Sequence, residues 1–299
     1  MTSPKKLFLV VRFFFALLTQ QVDLVWVYIA VPQYTVLIVL IGKLFGKKVF
    51  TITGGYEITY IPGINWGEMN SWIKRTSQRI AFSQIDLVLA YSEASRADIL
   101  KFTLAAPEKV KVLHFGVDTN YFKPWSSLQK RKLIITVCAN LAAYSIEPKG
   151  VVTLVEAART LTDVDFVVVG AVHDDAKAFT QSAPPNVKFV GRVSDQDLLR
   201  LYQEAKVYAQ LSAHEGFGIA NIEAMSCECA SVVTPTAALP EVVGEAGLYV
   251  PFGDVSETVS VLKEALQRDD LRIKARERII SRFRDETRRA QLLAEIQTM

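Results

Sequence analysis

The chain has 299 residues, half of them hydrophobic, and its Lys and Arg residues outnumber its Asp and Glu residues by only three. This length favours two domains of ordinary size, and this composition excludes long disordered stretches. Three cysteines and three histidines, none at zinc-binding spacing, exclude a disulfide framework and favour a cytoplasmic protein without a structural metal.

The charge is unevenly distributed between the two halves. Residues 1–130 carry 15 Lys and Arg against 8 Asp and Glu, a net charge of +7, whereas residues 131–299 carry 19 against 23, a net charge of −4. A basic first half can face an anionic lipid surface or another anionic molecule. A solvated surface with an accidental bias is an equally open interpretation.

The first apolar stretch is "LFLVVRFFFALL" at 7–18, which follows Lys5 and Lys6. It resembles the start of a signal peptide, but Arg12 interrupts it and no small-residue cleavage site follows. We therefore expect a helix that can lie on a bilayer, because lysine and aromatic side chains suit that interface.

A second apolar stretch at 24–46 approaches the ~20 residues of a membrane span. The polar and turn-forming residues Pro32, Gln33 and Tyr34 divide it into a β-branched half and an aliphatic half. This division predicts a buried strand, a turn and a helix rather than a span.

Short apolar segments alternate with helical patterns along the first half of the chain. Strands are predicted at 22–30, 47–53, 85–92 and 109–115, and helices at 35–46, 70–82 and 93–102. Strands separated by helices indicate βαβ units and a parallel sheet covered on both faces.

The polar, proline-bearing segment 123–131 separates this series from a second one and is predicted to be a linker. We therefore expect domains at 1–124 and 131–280, and a C-terminal helix at 281–299 that packs back on the first domain. In the second series, strands are predicted at 132–140, 165–171, 187–191, 206–212 and 229–235, with helices at 150–161, 195–205 and 256–297. This is a doubly wound pattern.

Ligands of an open parallel sheet bind beyond the carboxyl ends of its strands, where loops enter helices. Three loops of the second half meet that description: 139–150, 170–176 and 212–219. In the first of them, Lys149 precedes a helix and can neutralise a diphosphate as a point charge. Gly150 beside it allows a close approach of the chain.

The third loop opens the motif "HEGFGIANIEAM" at 214–225. Gly216 and Gly218 permit backbone conformations closed to other residues, and a helix starting near Gly218 directs amides at an anion. Glu223 lies inside this helix, where its carboxylate can hold paired sugar hydroxyls, and Glu215 can contact a hexose. The turn and its two acids therefore predict a grip on ribose, diphosphate and hexose, the alternative being a glycine cap with two surface acids.

Taken together, these motifs resemble the retaining glycosyltransferases of family four. The resemblance is carried by "PKG" at 148–150, "VVVG" at 167–170, "VKFVGRVSDQDLLRLYQEA" from 187, "HEGFGIANIEAM" and "ALPEVVGEAGLYVPFGD" at 238–254. It implies the GT-B architecture, an α/β fold of two Rossmann-like doubly wound parallel-sheet domains that face each other across a cleft. The first half resembles the family more faintly.

The resemblance also implies a reaction and the residues that carry it. A hexose would pass from a nucleoside diphosphate sugar to a glycan or lipid-linked acceptor with retention, as in polysaccharide or cell-envelope synthesis, without metal or other cofactor. Glu215 and Lys149 would be catalytic, and Glu223 would bind the ribose. The remaining donor-binding residues would be Phe217, Gly218, Ile219, Gly216, Asn140 and Gly170.

The sequence departs from the family pattern at three places. Asn140 occupies a position where an arginine is frequent, and Gly54 occupies one where a histidine is frequent. The strand and glycine-rich loop that normally begin the first domain are not found before residue 7, so that domain is expected to be incomplete. A non-catalytic nucleotide-sugar-binding protein is therefore the alternative function.

The same residues allow other functions. Glu215 and Glu223 could be the acid and base of a glycoside hydrolase, but that reaction needs neither the glycine turn nor Lys149. Glu57 and Asp118 can meet an acceptor hydroxyl, although stabilising a turn is the more common role of such loop acids. The arginine-rich C-terminal helix carries interspersed acids and no stacking aromatics, so a nucleic-acid partner is not expected.

Overall fold

The computed structural model describes residues 4–28, 30–125 and 127–299. The side chains of residues 4–10, including Lys5 and Lys6, and of Gln33 lie outside this description. Two compact units are present, one formed by residues up to 114 together with 290–299, and the other by residues 115–289. No helix of the described residues is both long enough and apolar enough to cross a membrane.

The first unit contains a four-stranded sheet in the order β1-β2-β3-β4, with every neighbouring pair parallel. Its strands are β1 (Leu24–Tyr28), β2 (Lys48–Thr53), β3 (Leu87–Ala90) and β4 (Val110–Val112). Its helices are α1 (Pro4–Thr19), α2 (Pro32–Leu44), α3 (Trp72–Gln84) and α4 (Glu93–Phe102). The apolar stretch 24–46 thus forms strand β1 and helix α2 rather than one membrane-length helix, but Pro32, Gln33 and Tyr34, predicted as the turn between them, already form the first turn of α2.

The second unit contains a six-stranded parallel sheet. Its strands are β5 (Arg131–Leu141), β6 (Asp165–Val172), β7 (Val187–Gly191), β8 (Ala205–Gln210), β9 (Ala230–Val233) and β10 (Gly247–Tyr249). Its helices are α5 (Ala143–Ile146), α6 (Val151–Thr160), α7 (Lys177–Gln181), α8 (Asp195–Glu204), α9 (Ile219–Ser226), α10 (Leu239–Val243), α11 (Val255–Ala265) and α12 (Asp269–Arg282). A last helix, α13 (Asp285–Gln297), begins in this unit and ends in the first.

The strand order β10-β9-β8-β5-β6-β7 reverses direction between β5 and β8. The chain builds outward from β5 through β6 to β7, then returns to the other side of β5 and continues from β8 to β10. At such a reversal the loops leaving the two central strands diverge to opposite faces and open a crevice for a ligand. The loops after β5 and β8 are therefore the expected binding loops of this unit.

Central strand β5 is buried on both faces, as its continuous apolar run predicts. Ile134 packs with α6 and α11 residues on one face, whereas Leu133 and Ile135 pack with Tyr202 and Tyr208 on the other. All five side chains are fully buried, and each buried side chain of this size contributes roughly 1.5–3 kcal/mol. This rigid central strand fixes where its loop emerges.

The observed division of the chain differs from the boundary predicted after residue 124. Residues 115–124 group with the second unit, because Val117 pairs with Arg284 and Phe122 packs against Tyr202. The last ten residues group with the first unit, where Glu295 forms an ion pair of 2.5 Å with Lys111. The polar composition at 123–131 correctly indicated an irregular connection, but it did not indicate where the chain passes from one unit to the other. Ser126, within this connection, lies outside the described residues.

Candidate functional site

The loops that follow β5 and β8 meet directly. The amide of Ala213 donates a 2.8 Å hydrogen bond to the carbonyl of Pro148. Gly150 has a φ of +69°, and a Cβ atom there would lie 2.0 Å from the carbonyl oxygen of Leu211. Only glycine permits this approach. The glycine of "PKG" is thus required by the neighbouring strand end, and it brings two sequence-predicted binding loops together.

Lys149 and Glu215 form an ion pair across these two loops. The Lys149 ammonium donates to Oε1 of Glu215 at 2.6 Å, and the Ser212 hydroxyl donates to the same oxygen at 2.8 Å. The lysine side chain is 27% exposed and the glutamate side chain 12% exposed. A lysine has three donors, so this ammonium can hold Glu215 and a second anion at once.

The ionisation of Glu215 is set by opposing effects. Burial alone would raise the pKa of this carboxyl group, but the Lys149 charge and hydrogen bonds from Lys149, Ser212 and Gln210 bring its pKa below the usual value. Glu215 is therefore ionised at neutral pH, and the pair presents a charged lysine and a charged carboxylate at the strand ends.

The glycine turn leads into the eight-residue helix α9. Gly218 precedes it with a φ of +97°, and its carbonyl accepts from the amides of Asn221 and Ile222 at 3.0 and 3.2 Å. The N–H groups that come before these, of Ile219 and Ala220, have no carbonyl one turn earlier in the helix to bond, and the helix dipole favours an anion there. Phe217 is buried beneath the turn, whereas Ile219 is exposed.

Glu223 lies one turn inside α9 and is held differently from Glu215. The Tyr202 hydroxyl, on α8, donates to Oε2 of Glu223 at 3.1 Å. Burial raises the pKa of Glu223 to about 7, although the hydrogen bond from Tyr202 opposes the rise. This carboxyl group therefore changes ionisation near neutral pH.

Two further predicted donor residues lie at the same edge of the sheet. Asn140 is exposed near the end of β5, and its carbonyl accepts from the Ser145 hydroxyl at 2.6 Å. Gly170, in β6, has a φ of +147°, and a Cβ atom there would lie 1.7 Å from the carbonyl oxygen of Cys138. Packing of β6 against β5 accounts for this glycine, and its contact with a donor stays a prediction.

Glu57 and Asp118, predicted on the acceptor side, both stabilise turns. Oε1 of Glu57 accepts from the hydroxyl of Thr53 at 2.5 Å and from the amide of Gly54 at 3.1 Å. Oδ1 of Asp118 accepts from the amides of Asn120 and Tyr121 at 2.9 and 3.1 Å. These contacts favour the turn-stabilising alternative, and an acceptor role for either acid stays a prediction.

Sequence reasoning missed three polar residues of the site. Ser212 and Gln210 hydrogen-bond Glu215, and Tyr202 hydrogen-bonds Glu223. Gln210 ends β8 and Ser212 follows it, just before the glycine motif, and this position is a signal that could have found them. Tyr202 lies in a different helix, and its spacing gave no such signal.

No group of three or more His, Cys, Asp or Glu residues that could hold a metal ion occurs in the described part of the chain. Positive charge at the strand ends is supplied by Lys149 and by the amino end of α9. The site thus combines a helix amino end, which suits an anion, a cation and two carboxylates of different ionisation. Such a combination can bind a molecule with both phosphate and hydroxyl groups.

Known families match both halves of the chain. The family model described as glycosyl transferases group 1 matches residues 132–268, and that described as Glycosyltransferase Family 4 matches residues 2–121. The chain belongs to glycosyltransferase family four. The predicted membership of this family is confirmed. The candidate site lies within the residues that match the group 1 model.

Curated relatives show the extent of the similarity. An MMP alpha-(1->4)-mannosyltransferase from Mycolicibacterium hassiacum is 30% identical over 199 residues, which are 63% of this chain and 47% of that protein. The O-antigen chain mannosyltransferase B of Escherichia coli is 40% identical over 86 residues, which are 29% of this chain and 23% of that protein. This chain spans about half the length or less of the curated relatives it matches.

Solved structures identify the fold of this family-four chain. HepE from Anabaena, solved in complex with UDP-glucose, aligns with a TM-score of 0.82 at 19% identity, covering 99% of this chain and 84% of HepE. Sucrose-phosphate synthase from Thermosynechococcus elongatus aligns with a TM-score of 0.79 at 18% identity, covering 100% of this chain and 80% of that one. With the two parallel-sheet units, these similarities confirm the GT-B prediction.

Proposed function

We propose that this chain transfers a hexose from a nucleoside diphosphate sugar to a glycan or lipid-linked acceptor, with retention of the anomeric configuration. The observation that supports the proposal is the meeting of Lys149, Glu215 and the amino end of α9 at the reversal of the second sheet. Each group suits one part of such a donor.

The diphosphate would lie at the glycine turn. The first amides of α9 and the Lys149 ammonium would stabilise the negative charge that develops on the departing diphosphate, without a metal. Because Glu215 holds this ammonium at 2.6 Å, the lysine is oriented before the donor arrives. Glu223 would accept from the ribose hydroxyls, and Glu215 would contact the transferred sugar.

The choice of sugar and acceptor is a separate part of the proposal. Two of the relatives described above are mannosyltransferases, one of which acts on an O-antigen chain by its name. A hexosyl donor and an acceptor from cell-envelope or other polysaccharide synthesis are therefore proposed here. The described chain contains the free, buried thiols Cys138, Cys227 and Cys229, which agree with a cytoplasmic location.

A non-catalytic nucleotide-sugar-binding protein is the second candidate. The observation that favours it is Asn140, a neutral side chain exposed near the end of β5 where the family frequently has an arginine. With one cation fewer, the diphosphate would be held, but the charge developed during transfer would be less stabilised. Binding without turnover would follow.

Ligand binding and turnover separate these candidates. UDP-glucose, ADP-glucose and GDP-mannose would be screened by thermal shift, since a ligand at a hundred times its Kd adds ~2.7 kcal/mol of stability. Donor hydrolysis and transfer to glycan acceptors would then be measured by release of the nucleoside diphosphate. We expect stabilisation by one donor and turnover of that donor, whereas stabilisation without turnover favours the binding protein.

Variants test the assigned roles in the same assay. Lys149→Met should lower turnover about 100- to 1,000-fold, by analogy with the loss of one transition-state donor. Glu223→Ala should mainly weaken donor binding, and Glu215→Ala should mainly lower turnover. Glu277→Gln, an exposed change in α12, is the control. Full activity of both the Glu215 and Glu223 variants would show that the site is wrongly assigned.

A lipid-linked acceptor would bring the chain to a membrane surface. Helix α1 exposes Val11, Phe15 and Leu18 at helical spacing, and it lies in the basic half of the sequence, residues 1–130. These features support peripheral association with anionic lipid as a further part of the proposal. The vesicle experiment that tests it is described with the whole molecule below.

A further inference from the structure

Tyr202 is enclosed on every side beneath helix α9. Its side chain is fully buried, and its ring lies 6.2 Å from that of Phe122 and 6.1 Å from that of Tyr208, measured between ring centroids. Its carbonyl accepts from the Lys130 ammonium at 2.9 Å. The surrounding side chains hold the phenol where its hydroxyl meets Glu223.

Tyr202 keeps the proton that it donates to Glu223 over the working pH range. Burial and the neighbouring Tyr208 and Glu223 raise the pKa of Tyr202 well above its usual value, so the phenol keeps its proton. Its bond goes to Oε2, which leaves Oε1 to accept from a sugar hydroxyl. A carboxylate has lone pairs enough for both.

The other titratable groups around this carboxyl do not replace Tyr202. Asp195, at the start of α8, raises the pKa of Glu223, while the Tyr208 hydroxyl faces it from β8 and the Cys227 thiol from the end of α9. Two of these groups are neutral and the third is an acid. Hydrogen bonding to the charged form is therefore the main effect that favours ionisation here.

We propose that Tyr202 is a positioning residue of the donor site, which holds Oε2 of Glu223, favours the ionised form of this carboxyl group and aligns it for the ribose hydroxyls. The role in donor binding rests on the proposed function. The hydrogen bond and its effect on ionisation are properties of the protein without donor, so they can be tested separately.

The primary test needs no ligand. The protein would be labelled with glutamate carrying ¹³C at the side-chain carboxyl, and the Glu223 resonance, assigned by its loss in Glu223→Gln, would be titrated with pH. Hydrogen bonds to charged groups contribute enough to shift an ionisation by roughly one to two pH units. We therefore expect Tyr202→Phe to raise the Glu223 midpoint by that amount.

Tyr208→Phe is the matched control. Its hydroxyl is equally buried and has no side-chain hydrogen-bond partner among the described residues, so its loss should leave the midpoint within a few tenths of a unit. A Tyr202→Phe midpoint equal to that of wild type would overturn the proposal. If that variant does not fold, 3-fluorotyrosine placed at position 202 is the second test, because its more acidic hydroxyl should lower the midpoint.

Binding of UDP-glucose from pH 5.5 to 8.5 gives the functional readout. If the Glu223 midpoint rises by one to two units, Tyr202→Phe should bind UDP-glucose about 5- to 50-fold more weakly than wild type at pH 7. At pH 8.5 the difference in affinity should be about fourfold or less. A purely structural defect would weaken binding equally at every pH. If Glu223→Gln binds UDP-glucose as well as wild type does, the ribose contact fails, while the ¹³C titration still decides the role of Tyr202.

Discussion

Glu215 and Glu223 lie eight residues apart in one motif, yet their surroundings give them opposite ionisation. An ammonium and hydroxyl and amide donors surround Glu215, so its pKa is lowered despite burial. Glu223 is buried with a phenol as its donor, and its pKa rises to about 7. One carboxylate is therefore permanently charged, whereas the other can release a proton when a donor's hydroxyls bind.

The raised pKa of Glu223 predicts a pH-dependent cost in stability. The folded state holds a proton on this group between pH 4.5 and about 7 that the unfolded state releases, so stability falls as pH rises through that window. Glu223→Gln removes the effect. It should leave stability unchanged at pH 4 and increase it by up to roughly 3 kcal/mol at pH 8.

Urea unfolding of wild type and variant across this pH range measures the difference. Glu277→Gln, an exposed change in α12 of the same unit, should shift stability by less than about 0.5 kcal/mol at either pH. A Glu223→Gln variant that is no more stable than wild type at pH 8 would contradict a destabilising buried carboxylate. Binding of a donor to ionised Glu223 can offset this loss of folding stability.

Residue types were predictable at this site, but their partners were not. The spacing of Lys149, Glu215 and Glu223 after strand ends placed them at one edge of the sheet, where the structure has them. Their contacts depend on the direction of each side chain and on a helix distant in the sequence, and the spacing of residues reveals neither. Tyr202, which reaches Glu223 from α8, is the example. Gly170 shows the converse, since its close neighbour is the backbone of β5.

The elements that present the site depend on glycines whose neighbours differ. Gly150 and Gly191 have nearly the same φ, +69° and +71°, but a Cβ at Gly150 would lie 2.0 Å from the Leu211 carbonyl, whereas Gly191 has nothing within 4 Å. Gly191→Ala should cost about 1–2 kcal/mol, the penalty of a left-handed backbone alone. Gly150→Ala should cost more, because β8 must move.

Urea unfolding compares the two alanine variants in the same unit. Displacement at Leu211 should also separate Lys149 from Glu215, so Gly150→Ala is expected to lose turnover and Gly191→Ala to retain it. Equal destabilisation by the two changes would mean that the loop relaxes freely around position 150. In that case the close approach does not hold the two loops together.

Element types followed from periodicity where the apolar pattern was long. β-branched runs identified the central strands, and the start of α9 near Gly218 was predicted from the glycine turn. The short helices α5 and α7 were not predicted, because four or five residues carry too little periodicity to be recognised. Tertiary contacts, rather than local pattern, form these elements.

The division of the whole molecule shows the same limit. Composition placed a boundary near residue 124, but the chain enters the second unit ten residues earlier. The pairing of Val117 with Arg284 joins segments more than 160 residues apart, and no local signal predicts it. The fold class, in contrast, depends on the order of strands and helices along the chain, and the periodicity of apolar residues is enough to predict that order.

Charge asymmetry and helix α1 together predict how the whole molecule meets a membrane. Val11, Phe15 and Leu18 are 45, 57 and 55% exposed on one stripe, in the half of the sequence that carries a net charge of +7. Vesicles with phosphatidylglycerol should therefore sediment the protein, and binding should weaken with salt. Phosphatidylcholine vesicles should bind it less.

Changing the stripe tests whether α1 makes the contact. Phe15→Glu with Leu18→Glu should lower sedimentation at least about tenfold, because burying each side chain contributes on the order of 1.5–3 kcal/mol. Ile273→Glu with Leu293→Glu, at positions 54 and 59% exposed on α12 and α13, adds the same charge elsewhere and serves as the control. If both double variants lose binding equally, net charge rather than α1 governs the association. If neither loses it, or wild type ignores anionic vesicles, the membrane contact proposed for a lipid-linked acceptor is wrong.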